Sequence, residues 1–225
     1  MSRWATFDVY GTLIDWNAGI GGVLERLYGA EQAPALLARY HELEPEVQNE
    51  EGYRSYAEVL TLTLERLANE SGYGIPEGES GALPRSLPDW PPFSEVPEAL
   101  AELRRRGWSL ALLSNTDRDL IAASQRALGV PVDLTIVAED VQSYKPAHAH
   151  WERFFELTTA DREHHVHVAA SRFHDIAPAR ELELNSVWID RGGEDSQAHD
   201  AAVKADRTLP DLSGLPDVLD ELAPA

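Results

Sequence analysis

The chain has 225 residues, 43% of them hydrophobic, with no cysteine and a formal net charge of −20 from 39 acidic against 19 basic residues. That is apolar material for one domain, or for a core with a smaller insertion, and it argues against wholesale disorder. It excludes a disulfide framework or a thiolate metal site, and so acidic a chain repels nucleic acid and anionic membranes. Any anionic substrate therefore needs a local positive pocket. No apolar run reaches the length of a membrane span, and the N-terminus lacks a charged-then-apolar signal pattern, so the expected location is cytoplasmic.

Trp4 to Val9 reads as a buried strand running into Asp8, Tyr10 and the turn residue Gly11. From Ala18 to about Glu70 the apolar period becomes helical: Ile20, Val23, Leu24 and Leu27; then Leu36, Leu37, Tyr40 and Leu43; then Tyr56, Leu60, Leu64 and Leu67. Pro34 suits the start of the second helix, and Pro45 is expected to interrupt or end it. Residues 71–92 are rich in Gly and Pro and read as linker. Beyond them strands and helices alternate. Pro97 to Arg106 is helix, Trp108 to Leu113 strand, Asp117 to Leu128 helix, Leu134 to Ala138 strand and His148 to Leu157 helix. His165 to Ala170 is strand, Ala177 to Leu184 helix, Ser186 to Ile189 the final strand and Leu215 to Leu222 a closing helix. The predicted fold class is α/β, a Rossmann-like parallel sheet with helices on both faces and an inserted α-helical subdomain. Residues 1–14 and 93–225 would form the core, and residues 15–92 the insertion with its linker.

Open parallel sheets collect function at the carboxyl ends of their strands. Those ends carry Asp8, Tyr10 and Thr12; then Ser114 and Asn115; then Lys145 before Pro146; then Ser171, His174 and Asp175. Each is an ordinary cap or loop residue alone. Together they form an ordered set of a carboxylate, a hydroxyl, a cation and a second carboxylate.

That set resembles the haloacid dehalogenase superfamily. Asp8 and Thr12 match its first motif, Ser114 its second, Lys145 its third and Asp175 its fourth, with residues 15–92 as the helical cap. The resemblance implies Asp8 as nucleophile. Phosphatases of the superfamily carry an acid two residues after the nucleophile, where this chain has Tyr10. They also carry another acid about four residues beyond the fourth motif, where this chain has Ala179. Asp8-Val9-Tyr10-Gly11-Thr12 is similar instead to the type II L-2-haloacid dehalogenases, as is Arg39, placed where those enzymes carry an active-site arginine. A halide leaves without a proton, so the missing acid costs a dehalogenase little.

The resemblance implies hydrolysis of small 2-haloalkanoic acids to 2-hydroxy acids through an ester on Asp8, with no cofactor and no metal. Lys145 would keep Asp8 ionised and Asp175 would activate water. Thr12 and Ser114 would bind the substrate carboxylate and the oxyanion. Arg39 and Asn115 would cradle halide, with Tyr10, Trp16 and Trp151 as apolar wall. Arg172 stands where these enzymes have Asn, so Ser171 and His174 would take over holding the water. The partners implied are a small halogenated carboxylic acid and a second copy of the chain, with no nucleic acid and no membrane. The competing classes are a phosphatase-like hydrolase of the same superfamily and a catalytically weak protein of the same fold.

Overall fold

The computed structural model describes residues 2–50, 52–192 and 203–224. Six strands, β1 (Arg3–Phe7), β2 (Trp108–Ser114), β3 (Leu134–Val137), β4 (His165–Ala169), β5 (Asn185–Ile189) and β6 (Arg207–Leu209), form one sheet in the order β3-β2-β1-β4-β5-β6. Every pairing is parallel. The chain runs outward from β1 through β2 to β3, then returns to the other side of β1 as β4. The order therefore reverses between β1 and β4, and the crevice at a switch point opens at their carboxyl ends. Asp8 leaves one of these strands and Asp175 follows the other.

Both faces are covered because successive strand residues point to opposite sides. Leu110 and Leu112 of β2 join the cluster that holds Leu100 and Leu103 of α5 (Val96–Arg105) and Leu215 and Leu219 of α10 (Leu215–Leu222). Ala111 and Leu113, one residue out of phase, pack instead on Trp151 and Phe154 of α8 (Ala149–Leu157) and Ala179 of α9 (Ala177–Glu181). The remaining core helix, α6 (Arg118–Leu128), ends at Gly129, whose φ of 69° is the left-handed stop that glycine allows.

Between β1 and β2 lie α1 (Trp16–Tyr28), α2 (Ala33–Gln48) and α3 (Tyr56–Glu70). Pro34 opens α2 as expected, but Pro45 does not end it, and the helix runs on to Gln48. Leu43, Glu44 and Val47 are buried around that turn, and their packing outweighs a proline penalty of about 3 kcal/mol. The stretch 71–92 is not plain linker either. It folds into α4 (Ala82–Ser86) and a 3₁₀ turn over Leu87–Asp89, because Leu83, Leu87 and Trp90 are apolar enough to bury completely or nearly so. Trp90 lies where a Cβ on Gly19 would come within 2.3 Å of its ring, so α1 meets this stretch only because residue 19 is glycine. Two further elements went unpredicted: α7 (Ala138–Val141) and the short edge strand β6. The expected final strand is thus the penultimate one. No helix among the described residues is long and apolar enough to cross a membrane.

Candidate active site

Asp8 follows β1, and the chain then turns sharply through Gly11, whose φ is 87°. A Cβ at Gly11 would lie 3.2 Å from the Trp16 indole nitrogen, so the turn packs directly on α1. Asp8 is held from two sides. Thr12 Oγ1 donates to its Oδ2 at 2.6 Å, and Lys145 Nζ donates to its Oδ1 at 2.8 Å. The Thr12 hydroxyl in turn accepts the Ala170 N–H at 2.9 Å, which ties the turn after β1 to the end of β4. Arg191, just beyond β5, donates to the Thr12 carbonyl at 2.7 Å and to Glu95 at 2.8 Å, fixing the same turn from behind.

Lys145 is buried and uses all three ammonium hydrogens: on Asp8, on Asp175 Oδ1 at 2.6 Å and on the Leu113 carbonyl at 2.9 Å. Burial alone would depress its pKa, but Asp175 and Asp8 outweigh that and leave it raised. Burial likewise opposes ionisation of Asp175, yet Lys145 and a hydrogen bond from His167 win, and its carboxyl stays below the usual range. One cation between two carboxylates gives the centre a net charge of −1, and removing Lys145 would leave two buried carboxylates with no counter-charge. The two Asp175 oxygens differ. Oδ1 takes Lys145 and His167 Nε2, the latter at 3.0 Å, while Oδ2 is buried with no partner among the described residues.

Asn115 does a different job from the expected one of cradling halide. Its Oδ1 accepts the Lys145 N–H at 2.7 Å and its Nδ2 donates to the Lys145 carbonyl at 3.0 Å. It grips the main chain of the lysine as a neighbouring strand would. Ser114 is buried at the end of β2, and its carbonyl accepts from His150 Nε2 at 3.2 Å. Burial lowers the His150 pKa to about 4, so this imidazole is neutral. Ser171 caps a π-helical turn, Arg172–Ile176, by accepting the His174 N–H, and its hydroxyl also meets His174 Nδ1 at 3.1 Å. Arg172 stacks over the Trp188 ring at 3.6 Å, so it serves packing in that turn.

Two expectations are corrected. Arg39 does not reach Asp8. Its guanidinium is spent on Glu70 through Nε and Nη2, at 3.0 and 2.8 Å, and on Glu42 at 2.5 Å, on an exposed side of α2. The α2 residue that packs on the start of α1 is His41, whose ring lies 4.7 Å from that of Trp16 and whose Nε2 donates to Asn17 Oδ1 at 2.7 Å. Burial takes its pKa to about 4, so it is a neutral group at pH 7. Trp151 is not pocket wall. It is fully buried under the sheet, edge-on to His167 at 5.2 Å. Tyr10 is half-buried, with its ring stacked on Tyr56 at 6.0 Å and its hydroxyl on Ser124 Oγ at 3.0 Å. Burial pushes that phenol up to about 12. Arg39→Ala is accordingly expected to keep kcat/KM within about threefold, as for an ordinary surface change. Steady-state kinetics checks this.

The helices between β1 and β2 join the sheet next to these groups. Asp117 accepts the first two N–H groups of α3, Tyr56 at 2.8 Å and Ala57 at 2.9 Å, supplementing the Ser55–Glu58 capping box. The Tyr144 hydroxyl donates to the Arg54 carbonyl at 3.0 Å, and its ring stacks on Tyr53 at 5.6 Å. A divalent cation is poorly served here. The facing Oδ1 atoms of the two carboxylates are already balanced by Lys145, Asp8 Oδ2 is taken by Thr12, and no group of three acids or histidines suited to a metal occurs among the described residues.

A parallel sheet with an ammonium-bridged carboxylate pair at its switch point defines an α/β protein built for strand-end carboxylate chemistry. Residues 3–182 match the haloacid dehalogenase-like hydrolase family, and the chain belongs to that family. It is 30% identical over 193 residues to an (S)-2-haloacid dehalogenase of Pseudomonas sp. strain YL, covering 83% of this chain and 82% of the relative. It is 28% identical to haloacetate dehalogenase H-2 of Moraxella sp. strain B, covering 83% and 85%. Its fold superposes with a TM-score of 0.85 on L-2-haloacid dehalogenase from Xanthobacter autotrophicus with chloropropionic acid covalently bound, at 17% identity and covering 97% and 98% of the two chains.

Proposed function

We propose that this chain hydrolyses the carbon–halogen bond of small 2-haloalkanoic acids, and that residues 15–92 act as the cap under which it does so. The observation that carries this reading is the buried Asp8–Lys145–Asp175 bridge with Tyr10 beside it. An Asp8 carboxylate oxygen attacks C2 from behind, the carbon–halogen bond breaks, and halide leaves with its electron pair. The product is an alkyl ester of Asp8. Water then attacks the Asp8 carbonyl carbon and gives a proton to Asp175 Oδ2, the oxygen that Lys145 and His167 leave unoccupied. Collapse breaks the bond between that carbon and the alkyl oxygen, which takes the proton back from Asp175; the 2-hydroxy acid departs, and Asp8 releases its remaining water-derived proton to solvent. One displacement at C2 inverts its configuration.

Charge supports this substrate class over a phosphate ester. The centre is already at −1, and a haloacid adds one negative charge where a phosphate monoester adds nearly two. With Arg39 paired elsewhere, Ser114 and the main-chain N–H groups after Asp8 and Ser114 are the donors left for the substrate carboxylate. Thr12 orients Asp8. The Tyr10 phenol, bound to Ser124 and pushed up to about 12, makes a poor acid for an alkoxide leaving group. The same reading takes the working form as a cytoplasmic homodimer; Leu62 on α3 and Tyr73 just after it supply exposed apolar surface for pairing, and light scattering at micromolar concentration tests it. The deciding experiment is a panel of chloro-, bromo- and fluoroacetate with both 2-chloropropionate enantiomers, run beside phosphate monoesters. Halide release that survives EDTA and gains nothing from Mg²⁺ is expected. Mg²⁺-dependent phosphate release as the sole activity would install the phosphatase reading instead.

A further inference from the structure

We infer that His167 is a positioning residue for ester hydrolysis: through a hydrogen-bonded file of buried groups, His165–Thr6–His167, it presents an N–H to Asp175 Oδ1 and so keeps Oδ2 free to take the proton of water. The inference rests on the proposal that Asp175 is the base.

The file is set by strand register. Thr6 of β1 lies beside His167 of β4, and His165 falls on the same face two residues earlier. Thr6 Oγ1 sits 2.8 Å from His167 Nδ1 and 2.8 Å from His165 Nε2, and His167 Nε2 reaches Asp175 Oδ1 at 3.0 Å. All three residues are fully buried, with Trp151 against His167 and Phe154 against His165. Few arrangements of hydrogens satisfy such a file. The carboxylate oxygen carries no hydrogen, so His167 Nε2 must be the donor. A neutral His167 then has a bare Nδ1, which needs the single hydroxyl hydrogen of Thr6. The Thr6 oxygen is thereby left to accept, and His165 must donate from Nε2. This makes His165 Nδ1 a lone pair, which explains how that atom can be buried without a partner. Burial holds the His165 pKa near 3, consistent with a permanently neutral ring. Every hydrogen in the file points toward Asp175.

This geometry does something that Lys145 cannot do alone. Two donors on one oxygen fix the carboxylate plane and its rotation, so Oδ2 has a defined direction. The displacement step on Asp8 does not use His167, whereas the hydrolysis step does.

Two measurements test this. The first needs no substrate: ¹⁵N spectra of histidine-labelled protein should show His165 and His167 neutral and protonated at Nε2 near pH 7. Protonation of His167 at Nδ1 would overturn the inference. The second is a single turnover with chloroacetate, quenched rapidly and read by mass for the Asp8 ester. His167→Leu should form ester within about threefold of the native rate but hydrolyse it ten- to a hundred-fold more slowly, the range for a lost hydrogen bond to a charge. His167→Gln, which can place an N–H at nearly the same point, should recover most of the loss. Thr6→Val should show a smaller defect of the same kind. If His167→Leu slows both steps equally, or slows neither, the role assigned to His167 is wrong. Failure of Asp175→Asn to accumulate ester would instead sink the assignment of Asp175 as base.

Discussion

Asp8→Asn should abolish halide release, by a factor on the order of 10⁴ or more, while the protein stays folded. The size follows from removing the atom that forms the covalent bond, a loss that partial catalysis by the rest of a site does not restore. Folding survives because the amide keeps the shape, its one carbonyl oxygen can still accept from Lys145, and Asp175 still balances the buried ammonium. Isotope placement makes the test specific. With native enzyme in excess in ¹⁸O-water, the hydroxyl oxygen of the first product comes from Asp8 and is unlabelled, and the heavy atom enters the enzyme. Label in the first product would mean that water attacks the substrate directly.

The second large effect is expected at Asp175, with the opposite kinetic signature. Asp175→Asn leaves the nucleophile and its lysine in place but removes the proton acceptor. The ester should form and persist, so that the intact protein gains the mass of the bound carboxyalkyl group while turnover falls roughly 10²- to 10⁴-fold, the usual contribution of a positioned base. An amide at 175 also leaves Lys145 with one anionic partner in place of two, which favours a tight Asp8–Lys145 pair. Ester formation should therefore slow modestly. Rapid loss of the ester from this variant would remove Asp175 from the hydrolytic step.

The centre was legible in the sequence because strand ends carry their polar residues at fixed places. Asp8 directly follows an apolar strand, Lys145 and Asp175 stand in the segments after β3 and β4, and both carboxylates meet the Lys145 ammonium. The sheet was legible for the same reason, apart from β6, whose three residues are too few and too exposed to show an apolar run. What could not be read was rotation. The resemblance assigns Arg39 and Trp151 by their place along the chain, while the side they face is set by packing. At about 100° per residue, Arg39 and His41 point to nearly opposite sides of α2, and Tyr40, Leu36 and Leu43 decide which side turns inward. Pairing across strands was equally hidden. The alternation His-Val-His-Val in β4 shows that His165 and His167 share a face, but the register that puts Thr6 between them is a property of the sheet. Asn115 misled because an amide suits a halide as well as a peptide group; only its position opposite the Lys145 main chain separates the two uses.

The short run from Asn115 to Asp117 clamps Lys145 at its first residue and seats helix α3 at its third. Tyr144, immediately before that lysine, holds the approach to the same helix. The roof over the crevice and the charge inside it thus share one set of fixings, much as a hinge and a lock set into the same post keep a common alignment. Substitutions in the loops that merely span the helices can accumulate without disturbing the chemistry. A residue gained or lost between 115 and 117 would shift the roof and the lysine together, so this family member can change what it admits by varying its helices only while those few residues keep their count.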